Sequence, residues 1–432
     1  MNLLIKNGRI LDPATDFDEV CDLYVMEGKV AAKGNLPEEK KAAFEAGGVK
    51  EIDASGKCVM PGFVDLHVHL REPGFEYKET IKTGTRAAAR GGFTGVCPMP
   101  NTKPSTDCPE MIQKVLEIAA KDSPIHVYPV GAVTLGQMGE TMTDIEGMVK
   151  AGARAISEDG KSVMNAALYR EAMKEAARLS IPVFAHCEDK NMVGKGAMNA
   201  GKKAEAMGIE GISNAVEDVI VARDILIAKE TGARLHLCHC STADSVEMIR
   251  LAREEGLLVS GEVCPHHFTL TDEDIPSDDA DYKMNPPLRS STDVEKLKEG
   301  LKSGVMEAIS TDHAPHGEEE KKKSIAEAPF GIVGSETVFS LAVTKLVKKG
   351  YLTPLELVRR MSTNPCRILG VEGGSLEPGM PADITIADFE KEYIIDKNEF
   401  VSKGKNTPFH GKKVWGKVEY TIVGGAVVYP FD

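Results

Sequence analysis

The chain has 432 residues, too many for one small domain and enough for a (β/α)8 barrel of about 250 residues with something added. Apolar residues make up 42% and charged residues 27%, an ordinary globular balance, and a formal net charge of −14 argues against a nucleic-acid partner. No stretch approaches the roughly 20 apolar residues of a membrane span, Lys6 and Asn7 interrupt any signal-peptide core, and nine cysteines form no CxxC pair, so a reduced, cytoplasmic protein without a membrane partner is expected.

Residues 3–10, 21–26 and 29–33 alternate like strands, with turn signals at Asn7-Gly8 and Glu27-Gly28 and one short helix at 38–45. Residues 58–60 close this part, and Pro61-Gly62 punctuates it. From Phe63 the texture changes to short apolar runs followed by amphipathic stretches. The runs lie at 64–69, 95–99, 125–130, 153–157, 183–186, 235–239, 259–263 and 308–312. The clearest helices are 78–90, 166–179, 215–231, 245–255 and 293–302. Strands alternating with helices predict a parallel (β/α)8 TIM-like barrel. Strand texture returns at 383–387, 393–395, 418–423 and 426–429. We expect residues 1–60 and 370–432 to build one small β-rich domain and residues 61–369 to form the catalytic barrel between them. No internal repeat or low-complexity tract is evident.

Two local features read blandly. Lys321 to Lys323 follow Glu318 to Glu320, as in a solvated surface loop. In Cys238-His239-Cys240, strand alternation would turn both thiols away from the face of His239, leaving them as small buried apolar groups.

His67-Val68-His69 places two imidazoles on one face at the C-terminal end of the first barrel strand, where barrel active sites lie. Asp159 follows the fourth strand, His186 ends the fifth, His239 the sixth and Asp312 the eighth. Each residue alone could be a turn, cap or core residue; gathered at one end of the barrel, they read as metal ligands. Histidine and carboxylate without thiolate suit catalytic Zn2+. Six ligands exceed one tetrahedral ion, so one or two zinc ions per subunit are expected, two being the better fit, with activated water as the chemistry.

The run Pro61-Gly62-Phe63-Val64-Asp65-Leu66-His67-Val68-His69-Leu70-Arg71-Glu72-Pro73-Gly74 resembles the amidohydrolase superfamily, and within it the class I dihydroorotases of bacteria. So do Met99-Pro100-Asn101-Thr102, Glu158-Asp159-Gly160, His186-Cys187-Glu188-Asp189, His239-Cys240-Ser241-Thr242 and Cys264-Pro265-His266-His267. Lys283 to Arg289, Thr311 to His316, Ala328 to Gly331 and Asn406 to Phe409 complete the set, in the family's order along nearly the whole chain. The resemblance implies reversible cyclisation of N-carbamoyl-L-aspartate to L-dihydroorotate in pyrimidine (UMP) synthesis. In the hydrolytic direction zinc-activated hydroxide would attack the cyclic amide, and Asp312 would take the proton and return it to the leaving nitrogen. It implies one ion on His67, His69 and Asp312, a second on His186 and His239, and Asp159 as the bridge. Relatives that bridge with a carboxylated lysine carry it on the fourth strand; residues 153–160 hold none, and Lys161 just beyond is the alternative.

Arg71, two residues after His69, would share its face if the strand continued and could fork onto a substrate carboxylate; its bland reading is a surface pair with Glu72 or Glu76. The resemblance assigns Arg71, Asn101 and His316 to that carboxylate, and Asn285 with the backbone of Phe330 and Gly331 to the pyrimidine ring, beside the metal ligand His69. His236, His266, His267 and His313 are candidates for structural or metal-orienting roles, with His313 pointing away if Asp312 points in. The segment 188–213, with five glycines, reads equally as a closing lid or a static insertion. Competing functions are another cyclic amidase, dihydropyrimidinase or hydantoinase, and a non-catalytic scaffold for aspartate transcarbamoylase. The resemblance also allows a homodimer and a complex of active enzyme with that transcarbamoylase.

Overall fold

The computed structural model describes residues 2–431. The alternating N-terminal run folds as antiparallel strands Asn2–Asp12, Phe17–Met26 and Lys29–Lys33. Glu27 (φ 51°) and Gly28 (φ 74°) make the tight turn between the last two, the left-handed pair that matches strand twist in a two-residue hairpin. C-terminal strands Ile384–Ile394, Lys413–Val423 and Ala426–Tyr429 form a second antiparallel set. The two sets meet in one sheet, because Cys58–Pro61 pairs with Ile384–Ile394 on one side and Asn2–Asp12 on the other. Ile5, Leu23, Val59, Ile384 and Ile422 bury its apolar face. Val49–Asp53, parallel to Asn2–Asp12, escapes the pattern because four of its five residues are exposed and little alternation marks it.

Between these sets the strands are parallel. One arc holds Phe63–Val68, Phe93–Pro98 and His126–Val127; the other runs Val130–Ala132, Ala155–Ser157, Pro182–Ala185, Arg234–Leu237, Val259–Val263 and Ala308–Ile309. The run expected at 125–130 is thus divided between the arcs. Pro129 lies at the break and has no N–H to give a ladder. At the other side the first strand meets the segment just beyond the last strand through an isolated bridge between Val68 and His313, and His69 N donates to His313 O at 2.8 Å. The apolar runs are buried on both faces, as parallel strands are when helices cover the outer side and the inner side packs into a barrel-like interior. Helices Ala166–Leu179 and Ala215–Thr231 have the predicted bounds, and the Asn165 side chain caps the first of them. Pro109–Asp122 and the helical turns between Val338 and Leu369 add to the predicted set.

Segment 188–213 is a built piece: Met198–Asn199 pairs with Gly211–Ile212 around helix Lys202–Met207. Met198 and Ala204 pack with Ile325 and Ile332. Buried Arg289 donates to Asn199 Oδ1 at 3.1 Å and to Ile212 O at 2.8 Å. These contacts tie the segment to the neighbouring loops. No helix among the described residues is long and apolar enough to cross a membrane.

Three local expectations fail for stated reasons. The first strand ends at Val68, and Arg71 is not in strand register but in a left-handed turn at φ 61°. The sixth strand ends at Leu237 and His239 has φ 34°, so alternation lapses and the Cys238 thiol faces the same side as His67. Lys321 is half-buried and not a free surface lysine: its ammonium donates to the backbone carbonyls of Lys283, Pro329 and Gly331.

Candidate metal centre

The strand ends bring His67, His69, Asp159, His186, His239 and Asp312 together, all buried. Asp159 is central. Its Oδ1 lies 3.1 Å from His67 Nε2, 3.6 Å from His186 Nδ1 and 3.7 Å from His239 Nε2; its Oδ2 lies 3.5 Å from His69 Nε2. Asp312 Oδ1 is 3.0 Å from His69 Nε2 and 3.7 Å from His67 Nε2. Two overlapping donor groups result, one of His67, His69 and Asp312, the other of His67, Asp159 and His239, with His186 Nδ1 3.0 Å from His239 Nε2. Lys161 turns aside and donates to Gln137 O at 3.0 Å.

Asn101 decides the proton of His69. Its Nδ2 donates to Asp159 Oδ2 at 3.1 Å, so its Oδ1 accepts from His69 Nδ1 at 2.9 Å. The lone pair of His69 Nε2 then faces two carboxylates, an arrangement that a cation between them relieves. Both ring nitrogens of His67, Nε2 of His186 and Nδ1 of His239 also lack hydrogen-bond partners while buried. Imidazole and carboxylate donors converging without protons to share are what a zinc-type ion needs, and the residues fit one. Burial favours neutral Asp312, but His69 and His67 outweigh it and hold the carboxylate ionised well below its usual range.

A second layer was not read from sequence. Glu262 Oε1 lies 3.5 Å from His67 Nδ1, while its Oε2 takes His236 Nε2 at 3.0 Å and the Ser310 hydroxyl. Asp65 accepts from Thr311 N, Thr311 Oγ1 and His67 N, tying the first strand to the last. A carboxylate inside each apolar run, Asp65 in FVDLHV and Glu262 in VSGEV, was the available signal. Of the remaining histidines, His313 does point away, 3.4 Å from Glu79, and His267 donates to Pro286 O.

A cavity of about 160 Å³ opens on the cluster, lined by Arg71, Asn101, Asn285, Phe330 and Gly331 among others. Arg71 pairs with neither Glu72 nor Glu76; its Nε donates to Pro315 O at 3.2 Å and Nη2 lies 3.3 Å from His316 Nε2. Burial lowers the Arg71 pKa while Asp312 pulls the other way, and a guanidinium stays charged. His316 stands behind Arg71 and outside the lining: Nε2–H donates to Phe330 O at 2.7 Å, and Nδ1 accepts from Lys78 Nζ at 3.2 Å. The Asn285 amide donates to Glu188.

Residues 56–245 match the family model described as Dihydro-orotase-like. Over 428 residues the chain is 50% identical to a dihydroorotase of Pelotomaculum thermopropionicum, covering 99% of this chain and 98% of that one. The chain belongs to the dihydroorotase family. A dihydroorotase of Bacillus cereus is 46% identical over 429 residues, with 99% and 98% covered. This family member is a cyclic amidohydrolase with metal-binding clusters at its site. Among solved structures, the L-hydantoinase (dihydropyrimidinase) of Arthrobacter aurescens superposes with a TM-score of 0.85 at 29% identity, covering 99% of this chain and 95% of that one. The dihydropyrimidinase of Brevibacillus agri NCHU1002, at 23% identity and a TM-score of 0.84, shares the fold, again over 99% and 95% of the two chains. The fold is therefore related to the (β/α)8-like barrels of the amidohydrolases, with added β-rich sheets.

Proposed function

We propose that this protein interconverts N-carbamoyl-L-aspartate and L-dihydroorotate with two zinc ions per subunit. The carrying observation is Arg71, a half-buried cation that forms no ion pair with a carboxylate among the described residues and lines the same cavity as the ligand cluster. A substrate with a free carboxylate beside its ring amide uses that charge; hydantoin and dihydrouracil offer nothing to it. His67, His69 and Asp312 would hold one ion, His186 and His239 the other, with Asp159 between them. Zinc, when bound, supplies Lewis acidity and lowers the pKa of water toward about 7.

The chain's own residues do the rest. Arg71 anchors the substrate carboxylate, braced by His316 and the Pro315 carbonyl. Asn285 and the Phe330–Gly331 backbone orient the ring so that its amide faces Asp159 and Asp312. Asp312, already ionised, accepts the proton of the attacking water at a carboxylate oxygen and delivers it to the departing ring nitrogen. In cyclisation the transfers reverse. Asn101 keeps His69 and Asp159 in place through its two bonds.

We further read the two arcs as one closed eight-stranded barrel spanning residues 61–369, with residues 1–60 and 370–432 forming a joint β-rich domain. The shared sheet and the Val68–His313 contact support this reading. Turnover of dihydroorotate against dihydrouracil and hydantoin, with zinc counted per chain, tests the function. A preference for either uncharged ring would refute the assignment.

A further inference from the structure

Lys321 ends the short helix Glu318–Lys321 among surface charges. An ammonium has three N–H bonds, and here three carbonyls surround it: Lys283 O at 3.3 Å, Pro329 O at 3.1 Å and Gly331 O at 2.9 Å. Lys283 lies two residues before Asn285, and Pro329 and Gly331 flank Phe330. One side chain therefore joins the two segments that line the ring side of the cavity. The join is reinforced by Gly331 N donating to Lys283 O at 3.0 Å and by Asn406 Nδ2 donating to Gly331 O at 3.0 Å. Gly331 has φ 132°, and a Cβ there would stand 2.7 Å from Ala314 Cβ and 3.0 Å from His316 Nε2. No side chain can stiffen that position from within, so the strap depends on bonds from outside.

We propose that Lys321 is a positioning residue for substrate, stapling the Asn285 segment to the Phe330–Gly331 strap so that the ring contacts are set before the ligand arrives. The inference rests on the functional reading above, in which those two segments hold the ring. It is a binding role: Lys321 is not among the residues lining the cavity and touches none of the six clustered ligands.

The charged groups facing Lys321 are Asp281 and Asp279 on the neighbouring turn, Lys283, and Glu320 on its own helix; His316 also feels its charge. Burial draws the Lys321 pKa down to about 8, with Asp281 opposing. Below that pH all three N–H bonds are available. Above it one is lost, and a nitrogen lone pair faces a carbonyl oxygen. KM for dihydroorotate should then rise with pH while kcat changes little.

Wild-type turnover is established first, so that losses in variants test Lys321 and not the assignment. Lys321→Met, with zinc content and Tm verified, should raise KM at least about tenfold with kcat within about threefold. Lys321→Gln, whose amide has two N–H bonds, should fall between. The rise of KM above pH 8 should vanish in Lys321→Met. A loss confined to kcat, or parallel KM–pH curves in wild type and variant, would overturn the proposal. Should the Met variant misfold, a folded Lys321→Gln variant with native zinc content and wild-type KM would overturn it equally.

Discussion

Glu262 Oε1 lies 3.5 Å from His67 Nδ1, the ring nitrogen opposite the one that meets Asp159. A carboxylate behind a ligating imidazole fixes the ring's orientation and strengthens its donor nitrogen. Glu262 is in turn held by His236 and Ser310, so the support is rigid. Glu262→Gln should weaken zinc binding by about 10- to 100-fold while the chain stays folded. A chelator competition read by zinc content, beside circular dichroism, measures this. Unchanged affinity would show that His67 needs no partner behind it.

His67→Ala or His69→Ala should remove most bound zinc and nearly all activity, and leave the barrel intact. Both rings lie at strand ends, while Leu66 and Val68 carry the packing between them. Metal analysis and thermal melts on each variant decide it. Full activity with native zinc would remove these residues from the site.

The parts read best from sequence were those governed by periodicity. Ala166–Leu179 has one apolar face and a capping Asn165, and its bounds match prediction. The runs at 64–69 and 183–186 lack a polar alternation because the strands they become are buried on both faces. What periodicity cannot report is where a strand stops. Arg71 lines the cavity from a left-handed turn and not from a continued strand face. The thiol of Cys238 turned inward for a similar cause, at His239. Lys321 shows the limit of composition: three neighbouring lysines look alike, and only the fold distinguishes the one that meets three carbonyls. Glu262 is not legible in the sequence, because one carboxylate in a five-residue strand carries no pattern; its meaning lies in His67, far away in sequence.

Asp312→Asn should abolish turnover far more than it weakens substrate binding, because an amide cannot take up and return a proton. The residue also faces His69 and His67, so zinc content must be measured with kcat and KM. A drop in kcat with zinc and KM near native values is the expected result. Native kcat would place the proton acceptor elsewhere.

Arg71→Met keeps much of the side-chain length and removes the charge and the fork of donors. Arg71 is a half-buried cation whose side chain, among the described residues, donates to the Pro315 carbonyl and has His316 beside it, so no carboxylate takes up its charge. Losing a charge-assisted contact in a desolvated site should cost on the order of 2–4 kcal/mol. That is roughly 30- to 800-fold in kcat/KM toward dihydroorotate, at about 1.4 kcal/mol per tenfold. Any weak activity on an uncharged cyclic imide should scarcely change, since such a ring has no carboxylate for the arginine to grip. The comparison is internal to one variant, so general damage to fold or zinc would lower both activities together. Equal losses on the two substrates, with zinc content verified, would mean that Arg71 supports the metal site or the turn it occupies and does not anchor the substrate.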